Sequence, residues 1–339
     1  IERETLDQRA RLRGVKSRHN DKILLLQIAA DQRADTLIVI YNQNMGLISV
    51  QHKTCLRPIE FCVYFSERYI LPPQTKQQQN NRKSRSMSAT IPLDDRDGYI
   101  WMDGQMRPWR EARVHILTHA LHYATAVFEG ERAYNSKVFK SRFHAERLFR
   151  SGALIRMDMS HFSVDQVESI KPELLAANNL KDAYLRVLVW RGSEALGVGL
   201  SGTKAHMAVA AWSWDRVYKR EIAAQGIALM TSPWRRMAPN MTPVQSKTTS
   251  HYNVGSMAKD EAIAAGYADA MMLDFEGYVA EASAANIFFV MDGTLVTPLA
   301  DRFLNGITRQ TVLELAKTLG LPVEEKRLKP EDIRKAQEA

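Results

Sequence analysis

The chain has 339 residues, of which 45% are hydrophobic and two are cysteines, and its formal net charge is +8. This length and composition suffice for two domains with cores, which excludes a disordered chain, a collagen-like repeat and a small disulfide scaffold. Residues 1–86 hold 15 of the 46 basic and 8 of the 38 acidic side chains. The other residues carry 31 basic and 30 acidic side chains, a near-neutral balance, so we expect no nucleic-acid partner.

Residues 1–86 differ in character from the rest of the chain. They begin with Ile1, show no sustained hydrophobic period and end in the polar run 74–85. Both cysteines lie in them, which excludes a disulfide or a cysteine-based zinc site in the later residues. Their acidic residues fit poorly with a transit peptide. We interpret this segment as an upstream read-through or an independent, poorly ordered appendage.

Apolar runs such as 23–26 and 37–41 are far shorter than the roughly 18 residues that a membrane-spanning helix needs. We also find no signal peptide of ordinary layout. We therefore expect no membrane partner and a cytoplasmic location.

From residue 87 onward, helix and strand patterns mix. Apolar stretches on both sides of Asp103-Gly104 predict a hairpin. Ser163 and Gln166 form a capping box that predicts the start of a helix, and the pair 178–179 predicts its end. Further along, the sequence predicts strands over 182–190 and 205–214, helices over 255–265 and 310–319, and hairpins across 275–277 and 291–293. Because the strands come mostly as hairpins, an α+β fold is favoured over a doubly wound sheet.

Two motifs suggest other chemistry. The segment 197–202 matches G-x-G-x-x-G, but a strand-like segment follows it where a dinucleotide site requires a helix, so we interpret it as a glycine-rich turn. His115, His119 and His122 have helical spacing without the carboxylate of a zincin site. We interpret them as packing or hydrogen-bonded histidines and expect no metal.

Lys247 lies in a suggestive setting. It follows the proline-restricted segment 239–243 and precedes the predicted helix entry 248–252. A partly desolvated lysine there would favour the neutral amine that forms a Schiff base. The residues alone leave open whether Lys247 is a nucleophile or an ordinary solvated lysine.

Several blocks in order resemble the branched-chain amino-acid aminotransferases of the class IV (fold type IV) pyridoxal-phosphate group. The blocks are 99–104, 119–123, 127–134, 184–186, Glu281 with 286–289, and 306–309. The resemblance runs from about residue 99 to the C-terminus. It implies an α+β fold with a small α/β domain over 87–210, a linker over 211–222 and a larger cofactor-binding domain with a barrel-like sheet over 223–339. Residues 1–86 are then a non-family extension, and the family's further C-terminal strand and Gly-Thr turn imply a truncated end.

The resemblance assigns roles around pyridoxal 5'-phosphate. Lys247 matches the lysine that forms the Schiff base and shuttles the substrate proton, and Glu281 matches the carboxylate that pairs with the pyridine nitrogen. Tyr252 matches the tyrosine beside the phenolic oxygen of the cofactor. Arg147 matches the phosphate-binding arginine, and Ile307 with Thr308 match the phosphate-binding turn that opens the last predicted helix. The N–H groups and the positive dipole end of a helix N-terminus also favour a phosphate on physical grounds.

The resemblance also assigns a substrate pocket. Apolar walls and one reachable cation are needed to accept both an aliphatic chain and the γ-carboxylate of glutamate. Arg186 matches the carboxylate-binding arginine, and Phe128 is expected in a loop near a second subunit of a homodimer or larger homo-oligomer. The matched pocket residues are Tyr123, Phe128, Tyr184, Arg186 and Trp214.

The sequence therefore predicts a transaminase that moves the amino group of leucine, isoleucine or valine to 2-oxoglutarate, with amino acids and 2-oxo acids as its small-molecule partners. A D-amino-acid or R-selective amine transaminase of the same class is the nearest alternative. The second alternative is an inactive truncated fragment that acts only as a binding protein. Residues 282–285 (ASAA) stand where family members commonly have glycines and an acidic residue, so the backbone near the cofactor can differ.

Overall fold

The computed structural model describes the backbone of 39–42 and 46–49 and the whole of residues 91–213 and 226–339. The extension 1–86 therefore lies outside the described residues, apart from the antiparallel pair β1 (Val39–Asn42) and β2 (Gly46–Ser49). Most of the expected linker 211–222 and the pocket residue Trp214 also lie outside them. No helix within the described ranges is long and apolar enough to cross a membrane.

The described residues after position 90 belong to two compact units. The N-terminal unit contains 91–213 together with the short segment 246–250, and the C-terminal unit contains 226–245 and 251–339. Segment 246–250, which carries Lys247, thus groups with residues that precede it by more than thirty positions. The domain boundaries at 210 and 223 stay a prediction.

The N-terminal unit is built on one antiparallel sheet of six strands in the order β4-β3-β8-β7-β5-β6. Asp103 and Gly104 turn the first hairpin with positive φ angles of 48° and 91°, which confirms the predicted turn. The strands are β3 (Tyr99–Met102), β4 (Gln105–Pro108), β5 (Ala126–Tyr134), β6 (Lys137–Val138), β7 (Ala183–Arg191) and β8 (Ala205–Trp212).

Three helices accompany this sheet: α1 (His119–Tyr123), α2 (Ser141–Leu154) and α3 (Val164–Ala177). The Ser163 hydroxyl accepts a hydrogen bond from the Gln166 amide at 3.1 Å, so the predicted helix start is confirmed. Helix α3 contains Pro172 and ends before Asn178, which confirms the end predicted from the pair 178–179. Helices α2 and α3 pack on one face of the sheet, where alternate residues of the long strands are buried.

The opposite sheet face is half-buried and carries the predicted pocket residues. Along β5 it presents Phe128 and Gly130, and along β7 it presents Tyr184 and Arg186. Phe128 is therefore on a strand, not in the expected loop, because the 127–134 run continues the two-residue alternation. The glycine-rich segment 197–202 lies in the connection between the antiparallel strands β7 and β8, which confirms a turn.

The C-terminal unit contains two three-stranded sheets. In the first, β9 (Leu229–Arg235) pairs in parallel with β10 (Asp269–Leu273) after α4 (Tyr252–Ala264), and β11 (Val279–Ala282) completes a hairpin. In the second, β12 (Phe289–Met291) and β13 (Thr294–Pro298) form a hairpin, and β14 (Val323–Lys326) joins in parallel after α5 (Ile307–Thr318). The mixed content confirms an α+β fold, and the described strands form no closed barrel.

Candidate active site

Segment 246–250 is fixed to the N-terminal unit by hydrogen bonds on both sides of Lys247. The Lys247 amide donates to Ser151 Oγ at 3.0 Å, and its carbonyl accepts from the Phe128 amide at 3.1 Å. Ser246 Oγ donates to the Ser151 carbonyl at 2.9 Å. The backbone of the candidate nucleophile is therefore held between α2 and β5, although it is 96 residues from Ser151 in sequence.

Two cations approach the ring of Phe128, which is 7% exposed. Lys247 Nζ lies 4.9 Å from the ring centroid, and the guanidinium carbon of Arg186 lies 4.5 Å from it. Contacts of this kind favour a cation by roughly 0.5–2 kcal/mol, the more so where water is excluded. The structure thus brings together three residues that the sequence assigns to one site.

Tyr184 and Arg186 extend the same site. Arg186 Nη2 donates to the Tyr184 hydroxyl at 2.9 Å, while Arg186 Nε is buried and has no hydrogen-bond partner among the described residues. Gly130 leaves the room that the Tyr184 hydroxyl occupies, because an added Cβ would overlap it. A buried unsatisfied donor in an aromatic wall suits a carboxylate ligand.

Trp212, not assigned by the sequence analysis, packs against this group. Its ring lies 5.0 Å from that of Tyr184, its register partner across β7 and β8, and 6.5 Å from Trp109. The two-residue alternation that ends β8 could have indicated it. Tyr123, by contrast, is 40% exposed at the end of α1, and its described ring contacts are with His119 and His122.

Arg147 is buried, not solvated as a helix arginine usually is. Its Nε and Nη2 both donate to the Glu129 carboxylate at 2.7 Å, and His144 Nδ1 lies 2.7 Å from the same carboxylate. Burial opposes ionisation of Glu129, but hydrogen bonds from Arg147 and His144 outweigh it and lower its pKa to about 2. Glu129 therefore fixes the direction of the Arg147 side chain.

His119 is also buried. Its two ring nitrogens are hydrogen-bonded to Thr125 Oγ1 at 2.7 Å and to the Gly197 carbonyl at 2.8 Å. This is the hydrogen-bonded histidine that the sequence predicts. Among the described residues, no cluster of histidine, cysteine and acidic side chains could hold a metal ion.

In the C-terminal unit, Glu281 lies on β11, and two neighbouring side chains restrain its carboxylate. Arg236 Nε is 3.1 Å from Oε1 of Glu281, and Asn286 Nδ2 donates to Oε2 at 3.3 Å. Gly306 abuts the Asn286 amide, because a Cβ at this glycine would overlap it. Tyr252 begins α4, whose Gly255 packs so closely on the end of β11 that a Cβ would lie 2.6 Å from the Ser283 carbonyl.

The N-terminus of α5 is open. Gly306 is its N-cap and supplies no capping side chain, so the amides of the first turn, which include those of Ile307 and Thr308, have no capping side chain among the described residues. Ile307 is buried and Thr308 is exposed. A helix of 12 residues with a free first turn presents N–H groups and a positive dipole end to an anion.

Comparison with known proteins shows the family of the chain. The sequence profile of the amino-transferase class IV family matches residues 126–339. A probable branched-chain-amino-acid aminotransferase of Rickettsia felis is 47% identical over 244 residues, covering 72% of this chain and 82% of that protein. The branched-chain-amino-acid aminotransferase of Pseudomonas aeruginosa is 42% identical over 73% of this chain and 81% of its own length. The chain belongs to the class IV branched-chain aminotransferases.

Solved aminotransferase structures share the fold. The Escherichia coli branched-chain amino acid aminotransferase matches with a TM-score of 0.69 at 38% identity, covering 71% of this chain and 81% of that one. The T.th. enzyme, complexed with N-(5'-phosphopyridoxyl)-L-glutamate, matches with a TM-score of 0.66 at 38% identity, covering 71% and 80%. The cofactor of the aminotransferase is pyridoxal phosphate.

The residues of the aminotransferase fit this cofactor. The open first turn of α5 suits its phosphate, and the held carboxylate of Glu281 suits a ring nitrogen that carries a proton. Ser283, two residues after Glu281, is buried and its hydroxyl has no hydrogen-bond partner among the described residues, so a polar group can be added there. The sequence analysis missed Arg236 and Glu129, because no motif marks a residue whose contact is with another side chain of the site.

Proposed function

We propose that the enzyme transfers the amino group of L-leucine, L-isoleucine or L-valine to 2-oxoglutarate. The observation that carries the proposal is the buried, unsatisfied Nε of Arg186 in an aromatic wall that also contacts Lys247. Such a site accepts an aliphatic side chain by burial and a second carboxylate by charge. The names of the relatives support the branched-chain assignment and do not favour a D-amino-acid or R-amine transaminase.

Pyridoxal phosphate, when bound, supplies the aldehyde that takes up the amino group and a ring that withdraws electrons from the substrate Cα. Lys247 holds the cofactor through Nζ and, once released, removes and returns the proton at the substrate Cα. The Phe128 ring beside Nζ keeps water away from this amine. Glu281 holds the ring nitrogen in its protonated form.

The remaining contacts to the cofactor are also proposals. Arg147 contributes its guanidinium to the phosphate, with Glu129 fixing its orientation, since a guanidinium has more donors than one carboxylate occupies. The amides of Ile307 and Thr308 bind the phosphate at the start of α5. Tyr252 donates its hydroxyl to the phenolic oxygen of the cofactor.

In the substrate pocket, we assign the carboxylate of glutamate to Arg186 and Tyr184, whose side chains are already hydrogen-bonded. Phe128 and Trp212 contact the aliphatic chain, with Tyr123 and Trp214 as further walls. One pocket then serves both halves of the reaction, as two substrates that bind in turn require.

We also infer a homodimer or larger homo-oligomer that works in the cytoplasm. The segment 114–123 of the N-terminal unit exposes several large apolar side chains. Exposed apolar patches are typical of protein–protein interfaces. Its most exposed members are Ile116 at 72% and Leu121 at 60%. A second copy of the chain would cover them.

The first experiment is a visible absorbance spectrum of the purified chain with pyridoxal phosphate, before and after L-leucine. We expect an absorbance band that depends on Lys247 and that L-leucine, but not D-alanine, converts to the pyridoxamine form. Lys247→Ala should lack the band. Lys259→Ala, which removes a partly exposed lysine paired with Asp269, should keep it. A band in Lys247→Ala would contradict the role of the lysine, and conversion by D-alanine alone would contradict the L-branched-chain assignment.

A further inference from the structure

Arg236 lies against Glu281 in the C-terminal unit, and the proposed reaction assigns it no step. On the basis of the function assigned to Glu281, we propose that Arg236 is a positioning residue that holds this carboxylate ionised and directed at the ring nitrogen of the cofactor. It acts through Glu281 and needs no contact with the cofactor itself.

The contacts of Arg236, which follows β9, reach the end of β11 and the start of α4. Nη2 donates to the carbonyls of Ala282 and Ser283 at 3.1 and 2.7 Å, which ties the guanidinium to the end of β11. Nη1 donates to the His251 carbonyl at 3.5 Å, next to the start of α4. Nε then lies 3.1 Å from Glu281 Oε1 as an ion pair, at an angle unlike that of a directed hydrogen bond.

Burial strengthens the electrostatic interaction between Arg236 and Glu281. The side chains of Arg236 and Glu281 are each 12% exposed, so water screens their interaction only weakly. Asn286 holds the other carboxylate oxygen at 3.3 Å. The carboxylate is therefore restrained from two sides, and its direction is set by groups of the protein.

The guanidinium also decides where a proton resides. A cation close to a carboxylate favours its ionised form. Arg236 is in contact with Glu281 and is farther from a ring nitrogen that Glu281 binds. The positive charge of Arg236 therefore opposes protonation of the carboxylate more than protonation of that nitrogen. A proton shared between Glu281 and the ring nitrogen then stays on the nitrogen, where electron withdrawal requires it.

Other titratable groups around the pair have their own partners. On the α4 side, His251 Nε2 is 2.7 Å from Thr242 Oγ1, and Tyr252 follows it in the chain. After β10, Asp274 pairs with Arg302 at 3.0 Å. Arg235, the last residue of β9 and the chain neighbour of Arg236, is exposed.

Arginine is suited to this position and lysine is not equivalent. The planar fork places Nη2 on two carbonyls while Nε faces the carboxylate. A lysine supplies the charge alone. Arg236→Lys therefore separates charge from orientation, and Arg236→Gln removes the charge.

The test measures the affinity of the apoenzyme for pyridoxal phosphate across pH, and kcat and KM for L-leucine with the holoenzyme. We expect Arg236→Gln to weaken cofactor affinity about tenfold or more and to move the acid limb of kcat to higher pH, with KM little changed. Arg236→Lys should restore the acid limb but not the full affinity. Arg235→Gln, the matched control, should behave as the wild type.

Wild-type cofactor affinity and pH profile in folded Arg236→Gln would overturn the proposal. Should this variant fail to fold, Arg236→Lys decides: wild-type affinity with a wild-type acid limb overturns the orienting role. The function of the enzyme is judged separately by Lys247→Ala. Loss of the absorbance band in that variant together with a normal Arg236→Gln would refute the positioning role alone.

Discussion

At the residue scale, the candidate pocket depends on the absence of one side chain. Gly130 on β5 is the register partner of Arg186 on β7, and the Tyr184 hydroxyl occupies the space where a Cβ of residue 130 would be. That hydroxyl also accepts the hydrogen bond from Arg186. One methyl group at position 130 would therefore displace the Tyr184 hydroxyl and disturb the hydrogen bond that it accepts from Arg186.

We predict that Gly130→Ala impairs recognition of the second carboxylate. KM for 2-oxoglutarate should rise about tenfold, while KM for L-leucine changes less, because the leucine chain carries no second carboxylate. Steady-state kinetics measure both constants. Gly199→Ala is the matched control, because a Cβ there meets nothing within 4 Å. Equal effects on both substrates would contradict the assignment of Arg186.

Arg147 shows what a residue's sequence context leaves undetermined. The family block predicts a phosphate ligand, and the helix pattern alone predicts a solvated arginine. The structure buries it against Glu129, a residue 18 positions earlier on β5. Hydrogen bonds from Arg147 and His144 lower the pKa of Glu129 to about 2, so its carboxylate is ionised at neutral pH and the ion pair with Arg147 is present there.

At the element scale, His206 on β8 ties together two connections of the N-terminal unit. Its Nδ1 lies 2.7 Å from Asp103 in the β3-β4 turn, and its Nε2 lies 2.7 Å from Glu194 in the β7-β8 connection. Only the imidazolium can donate to both carboxylates. Burial lowers the pKa of His206, but the hydrogen bonds to Asp103 and Glu194 outweigh it and raise the pKa above its usual value.

A raised pKa in the folded state makes this stabilisation depend on pH. It is fully present below the unfolded value of about 6.5 and is lost as the pH rises through the higher folded value. We predict that the difference in unfolding free energy between wild type and His206→Gln is greatest near pH 6 and shrinks toward pH 9. Urea denaturation at several pH values measures it. A difference that stays constant from pH 6 to pH 9 would contradict this role of His206.

Helix α5 begins at Ile307, three residues before the predicted range 310–319, whereas α4 begins at Tyr252, where the predicted helix entry 248–252 ends. Neither N-cap, His251 or Gly306, supplies a capping side chain, so the usual signal is missing. The uncapped start of α5 is also the proposed phosphate site. A ligand-binding helix terminus is therefore the place where capping rules are expected to fail.

At the scale of the whole molecule, the exposed apolar segment of the N-terminal unit predicts self-association. We expect the wild type to be at least dimeric and Leu121→Glu to be largely monomeric, because a buried unpaired charge opposes association. Light scattering after size-exclusion chromatography gives the mass. Leu319→Glu, which alters another exposed leucine at the end of α5, should remain dimeric. A dimeric Leu121→Glu would place the interface elsewhere.

The sequence by itself determined the α+β class, the hairpins at Asp103-Gly104 and 291–293, the start of α3 and the family. These depend on local hydrophobic period, turn residues and ordered motifs, all of which are properties of neighbouring residues. Tertiary structure decided which residues meet: Lys247 with Phe128, Arg147 with Glu129, Trp212 with Tyr184 and Arg236 with Glu281. Such contacts join residues far apart in the chain, and their chemistry depends on burial and distance, which no local pattern contains.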